Sequence, residues 1–172
     1  MRLPNYDYSQ PGYYFVTICT RNRAELFGYS QDGRIQLNDY GKIVRKCWLD
    51  LPNHYVCELD DYVIMPNHFH GIISIPDWTK EPSSAAAGLN PQLRGGSTKT
   101  PRHHPLTEIV RGLKTFSAAG INNIRLTPGA SVWQRSFHER VLRGEDDLLR
   151  IREYIQLNPE RWSQDSNNPV NF

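Results

Sequence analysis

Two histidines stand one residue apart in Met65-Pro66-Asn67-His68-Phe69-His70-Gly71-Ile72-Ile73. The run they open is apolar and β-branched, the composition of a strand. Strand side chains alternate between faces, so His68 and His70 point the same way. Two imidazoles side by side are a ready pair of ligands for a divalent metal. The same pattern also occurs at hairpin ends that hold no metal. A second pair lies near the C-terminus, in Leu148-Leu149-Arg150-Ile151-Arg152-Glu153-Tyr154-Ile155-Gln156-Leu157-Asn158-Pro159. Leu148, Ile151 and Ile155 are spaced as the buried stripe of a helix, and Tyr154 and Asn158 share one border of it. A phenol and an amide there can face inward across a sheet. Equally, Tyr154 can use its hydroxyl as a polar handle and Asn158 can close the helix.

The rest of the chain has to position these residues. Residues 13–20 are almost wholly β-branched and aromatic and predict a strand. Residues 21–36 are turn-rich. Asn38 can cap a helix through Tyr40, Ile43, Val44, Cys47, Trp48 and Leu51, with Pro52 as its stop. Pro66-Asn67 reads as a turn between strands over residues 56–65 and 68–75. Residues 76–104 are rich in Pro, Ser, Ala, Gly and Thr and read as a flexible insertion. Pro105 can open a second helix whose stripe is Leu106, Ile109, Val110, Leu113, Phe116, Gly120 and Ile124. Residues 132–142 predict another strand, and Glu145-Asp146-Asp147 open a last helix that Pro159 ends. This order predicts an α+β fold, an antiparallel sheet with helices packed on one face. Residues 1–172 are expected to form a single domain, with an N-terminal arm over about residues 1–12.

The formal net charge is only +2, but residues 94–152 hold 11 Lys/Arg against 5 Asp/Glu. Such a skew suits a polyanionic partner, and it also fits a solvated helix face. Cys19, Cys47 and Cys57 form no CxxC pair, which argues against a zinc-thiolate site or a disulfide scaffold. No apolar run is long enough to span a bilayer, so the expected partners exclude a membrane and the expected location is the cytoplasm.

Taken together, the segments resemble the HUH transposases with a single catalytic tyrosine. Within these they are most similar to the REP-associated tyrosine transposases. The resemblance is carried by Tyr14-Phe15-Val16-Thr17-Ile18-Cys19-Thr20-Arg21, Val63-Ile64-Met65-Pro66-Asn67-His68, His68-Phe69-His70, Ile109-Val110-Arg111-Gly112-Leu113-Lys114, Trp133-Gln134-Arg135-Ser136-Phe137, and Tyr154 with Asn158-Pro159. Related insertion-sequence transposases often carry Gln where this chain has Asn158, which is one methylene shorter.

The resemblance implies a ferredoxin-like fold of the HUH endonuclease type. It implies metal-dependent cleavage and joining of single-stranded hairpin DNA by a bacterial, nucleoid-associated monomer or homodimer. Tyr154 would be the nucleophile, forming a 5′-phosphotyrosine. His68, His70 and Asn158 would hold Mg²⁺ or Mn²⁺. Arg111, Lys114, Arg135 and Arg140 are candidates for phosphate contacts. Arg2, Asn5 and Tyr6 of the arm are candidates for contacts to unpaired bases. His138 and Glu139 are expected at the border of the site. Two alternatives stay open: a catalytically degenerate hairpin-binding protein, and an unrelated metal-dependent hydrolase.

Overall fold

The computed structural model describes residues 6–77 and 104–171. Four antiparallel strands form the main sheet. They are β1 (Gly12–Cys19), β4 (Glu58–Ile64), β5 (His68–Ile75) and β6 (His138–Leu142), in the order β4-β5-β1-β6. Helix α1 (Asp39–Leu49) connects β1 to β4, and α3 (Leu106–Ile124) connects β5 to β6. This is the split βαββαβ arrangement of ferredoxin-like folds. A short helical turn, α2 (Leu51–His54), follows α1 directly. Pro52 thus starts a turn of helix where the sequence predicts a stop, because the first helical positions need no N–H from proline.

The region read as turn-rich contains a hairpin, β2 (Gly28–Gln31) and β3 (Arg34–Leu37). Its turn is Asp32-Gly33, with φ of 51° and 69°. Both residues are left-handed, as a two-residue hairpin turn demands, and glycine supplies that conformation without strain.

The expected one-sided packing holds for α1 and α3. Trp48, Val44, Ile109 and Leu113 join Tyr14, Val16, Ile18, Phe69 and Ile73 in the larger core. Gly71 makes room there, since a side chain at this position would meet Trp48 and Phe69. Helix α4 (Glu145–Leu157) departs from that expectation and covers the opposite face. Its Leu148, Ile151 and Ile155 pack on Ile72 and Leu142, with Phe15 and Val63 beside them. Every residue of β5 is therefore buried. Polar ties reinforce this docking. Arg152 donates to both carboxylate oxygens of Asp60 at 2.9 and 2.6 Å, and Gln156 donates to Asp61 at 2.8 Å. Asp60 and Asp61 lie where the β4–β5 register shifts.

Three other expectations change. The strand predicted from residue 132 begins at His138, and Trp133 makes only an isolated bridge to Thr20. The stripe of α3 buries Ser117 and Ile121, while Phe116 and Ile124 are exposed. Ser117 escapes a hydrophobic pattern because it is polar. Its hydroxyl donates to the Leu113 carbonyl at 2.5 Å and accepts from Trp133 Nε1 at 3.0 Å. Within the supposed arm, Tyr6 and Tyr8 are packed against the core while Asp7, Gln10 and Pro11 are exposed. Tyr8 is buried, Tyr6 meets it edge-on at 5.0 Å, and Leu106 N–H donates to the Tyr8 carbonyl. Arg2, Asn5 and nearly all of the 76–104 insertion lie outside the described residues. Cys19 and Cys57 are buried free thiols and Cys47 is half-buried, and burial pushes Cys57 up to about 12.

Candidate active site

The antiparallel register builds the site floor. Val63, His70, Thr17 and His138 form one row across the four strands, since His70 pairs with Val63 and Thr17, and Thr17 pairs with His138. Directly paired residues share a face. His68 lies two residues from His70, opposite Cys19. The two imidazoles are almost wholly buried, with ring centroids 4.6 Å apart. The shared-face expectation from His-x-His is met.

Helix α4 brings Tyr154 over this row. Its hydroxyl lies 3.3 Å from His70 Nε2. Its ring packs edge-on against Phe15, 6.0 Å away. Tyr154 is 38% exposed, so one side is open to a substrate. On its other ring nitrogen, His70 Nδ1 is 2.8 Å from the Thr17 hydroxyl. Asn158 caps α4 and is buried, and its Oδ1 has no hydrogen-bond partner. Its amide acts on both His68 and Tyr154, raising the one pKa and lowering the other. The structure brings Tyr154, His68, His70 and Asn158 together in one cluster.

It missed Asp165. The segment after α4 folds back through a short helix, Trp162–Gln164, with Trp162 against His68. Asp165 Oδ1 accepts from Asn167 N–H at 2.6 Å, and Oδ2 lies 3.7 Å from His68 Nε2. Ligand atoms of His68, His70 and Asp165 all fall within 4.8 Å of one another. The turn is held from outside by Arg23, which donates to Ser166 O at 3.0 Å and Asn167 Oδ1 at 2.9 Å. Thr17, Asn67 and Arg23 were missed as supporting residues. Thr17 and Asn67 fall within segments that carry the resemblance, but no spacing rule marks the roles of the three.

The remaining candidates separate. His138 lies on the site face at its exposed edge. Glu139 pairs with Val16 and so turns to the α1–α3 face, away from the site it was expected to border. Arg111, Lys114 and Arg135 line a cleft of about 500 Å³ between α3 and residues 130–137, which shares no residue with the histidine–tyrosine cluster. Lys114 is a structural tie there, donating to the Gln134 and Arg135 carbonyls at 2.7 and 2.9 Å. Burial lowers its pKa. Arg140 pairs with Phe15 beside the site and donates to Asp147 at 2.9 Å.

Electrostatics suit a metal site. Burial pushes His68 down to about 4, against the pull of Asp165 and Asn158. Burial, then the neighbouring His68, holds His70 well below the usual range. Both imidazoles are therefore neutral at neutral pH, the form that ligates. Burial, then the Asp165 carboxylate, raises Tyr154, so its phenol holds its proton.

A stability prediction follows. The unfolded chain binds protons on these histidines below about pH 6.5, while the folded chain resists until about 4 at His68. Stability present above about 6.5 should fall as pH drops through that window, by about 1.4 kcal/mol per pH unit for each such histidine. Urea midpoints across the window measure this. A flat profile would show that the imidazoles are hydrated.

No protein-family model matches the chain. An uncharacterised protein of Haemophilus influenzae is 38% identical over 167 residues, 96% of this chain and 89% of that protein. Another H. influenzae protein, assigned as a REP-associated tyrosine transposase, is 25% identical over 153 residues, 89% of this chain and 73% of its own. Among solved structures, a REP-associated tyrosine transposase bound to a REP hairpin matches with a TM-score of 0.58 and 19% identity, covering 92% of this chain and 72% of that one. A transposase assigned in Deinococcus radiodurans matches with a TM-score of 0.50 and 16% identity, covering 91% and 95%. The chain shares the fold of these transposases. In sequence and in fold the chain is similar to REP-associated tyrosine transposases. Among the described residues, no helix is long and apolar enough to cross a membrane.

Proposed function

We propose that this protein is a metal-dependent single-stranded DNA endonuclease and strand-transferase acting beside a DNA hairpin. The observation that carries the reading is the Tyr154 hydroxyl, 3.3 Å from His70 Nε2 and partly open to solvent, above two buried neutral histidines. The hairpin partner is taken from the REP-bound structural neighbour.

The donors present fit a divalent metal. His68 Nε2 and Asn158 Oδ1 are buried without hydrogen-bond partners. Asp165 adds a carboxylate oxygen beside His68. Imidazole nitrogens with amide and carboxylate oxygens suit Mn²⁺, and Mg²⁺ less well. When bound, such an ion supplies positive charge to a non-bridging phosphate oxygen.

Tyr154 Oη attacks the phosphorus. The phenolic proton passes to solvent on the open side of Tyr154, an O–P bond to tyrosine forms, the P–O3′ bond breaks, and the departing 3′ oxygen takes up a proton from solvent. The 5′-phosphotyrosine conserves the bond energy, so a second 3′-OH can attack and release Tyr154 without ATP. His70 Nε2 is the acceptor that the tyrosine hydroxyl faces. One lone pair cannot accept this hydrogen bond and ligate an ion together, so His70 Nε2 would take the tyrosine hydroxyl only where it does not hold the ion. Arg140 lies beside the site and takes a flanking phosphate, while Arg111 and Arg135 contact phosphates farther along. His138 edges the same floor. Tyr6 contributes through its packing on Tyr8.

Labelled hairpin DNA with a single-stranded flank should give a covalent adduct with Mn²⁺ on a denaturing gel. The same sequence paired with its complement should give little or none. Melting a duplex costs about 1.4 kcal/mol per base-pair step, and no helicase motif supplies it. Affinity should fall with added salt as phosphate contacts release counterions. Comparable cutting of linear duplex would point to a conventional nuclease. Hairpin binding with no adduct would point to a binding protein.

A further inference from the structure

Asn67 is fully buried in the turn between β4 and β5, and the mechanism above does not use it. Its surroundings determine it completely. The backbone carbonyl accepts from Thr20 N–H at 2.9 Å and from the Thr20 hydroxyl at 3.0 Å. The side-chain Nδ2 donates to the Arg23 carbonyl at 3.0 Å and the Asn167 carbonyl at 2.7 Å. These two acceptors fix which end of the amide is nitrogen, because a flipped amide would aim its oxygen at two oxygens. Oδ1 is therefore the atom 2.9 Å from His68 Nδ1. An amide oxygen only accepts, so Nδ1 carries the proton. His68 Nε2 is left as a bare lone pair, buried, without a hydrogen-bond partner, facing Asp165.

We propose that Asn67 is a positioning residue that locks His68 in the Nδ1–H tautomer and so presents Nε2 as a metal ligand. The inference rests on the metal reading of the site. A histidine side chain in water favours the opposite tautomer, so the lock works against an intrinsic preference. Metal-ligating histidines generally donate their other N–H to such a partner, which sets ring orientation and basicity.

The test is long-range ¹⁵N NMR of the metal-free protein together with Mn²⁺ titration. Wild-type His68 should be protonated at Nδ1. Asn67→Ala should shift His68 toward Nε2–H and weaken Mn²⁺ binding roughly 10- to 100-fold. Asn67→Asp keeps an acceptor at Nδ1 but loses both donated bonds. It should melt at lower temperature yet keep His68 protonated at Nδ1 and bind Mn²⁺ better than Asn67→Ala. A purely structural role would leave the tautomer unchanged in all three. Protonation of wild-type His68 at Nε2, or a wild-type tautomer in folded Asn67→Ala, overturns the proposal. The tautomer is read without metal, so a wild type that binds no Mn²⁺ overturns the metal reading separately, and the tautomer still decides for or against Asn67.

Discussion

Tyr154→Phe is expected to abolish the covalent protein–DNA adduct completely while hairpin binding persists. The substitution removes one oxygen, and no adduct forms without it. The ring stays, so the edge-on contacts to Phe15 and His70 are retained. The lost hydrogen bond to His70 is long at 3.3 Å and lies at a half-exposed group. It should cost about 0.5–1.5 kcal/mol of stability at most. A folded, hairpin-binding variant without adduct separates chemistry from recognition. Adduct at wild-type levels would show that another residue attacks.

Either His68→Ala or His70→Ala should remove cleavage, and a chelator should do the same to wild type. Outer partners of ligating residues are each worth roughly 10- to 100-fold in metal affinity, so a lost imidazole should exceed that. The two variants carry a structural cost as well. His68→Ala strips Asn67 Oδ1 of its donor, and His70→Ala strips the Thr17 hydroxyl of its partner. A thermal melt beside the cleavage assay separates unfolding from metal loss. Asn158→Ala should hurt less, since water can fill an oxygen position and Asp165 stands beside His68. Chelator-resistant cleavage would contradict the metal reading as a whole.

The residues of this site were legible in different degrees, and the reason is periodicity. His68 and His70 share a face because strand side chains alternate, and any pairing register preserves that. Tyr154 and Asn158 share a helix border because i and i+4 residues neighbour each other. The α+β class followed from the order of elements, and burial of Leu148, Ile151 and Ile155 followed from their spacing.

What local pattern could not carry was which face each helix would cover and which residues distant in sequence would meet. Only the tertiary structure put α4 on the face opposite α1 and α3. That choice sets Tyr154 over His70, 84 residues away in sequence. The same holds for Asp165, delivered by a turn that Arg23 and Asn67 grip. Glu139 turned away from the site because its register partner is Val16. Lys114 was tied up by carbonyls that no charge count could locate. Spacing along the chain decides which neighbours share a face. Contacts across the fold depend on packing and register, which are properties of the whole molecule.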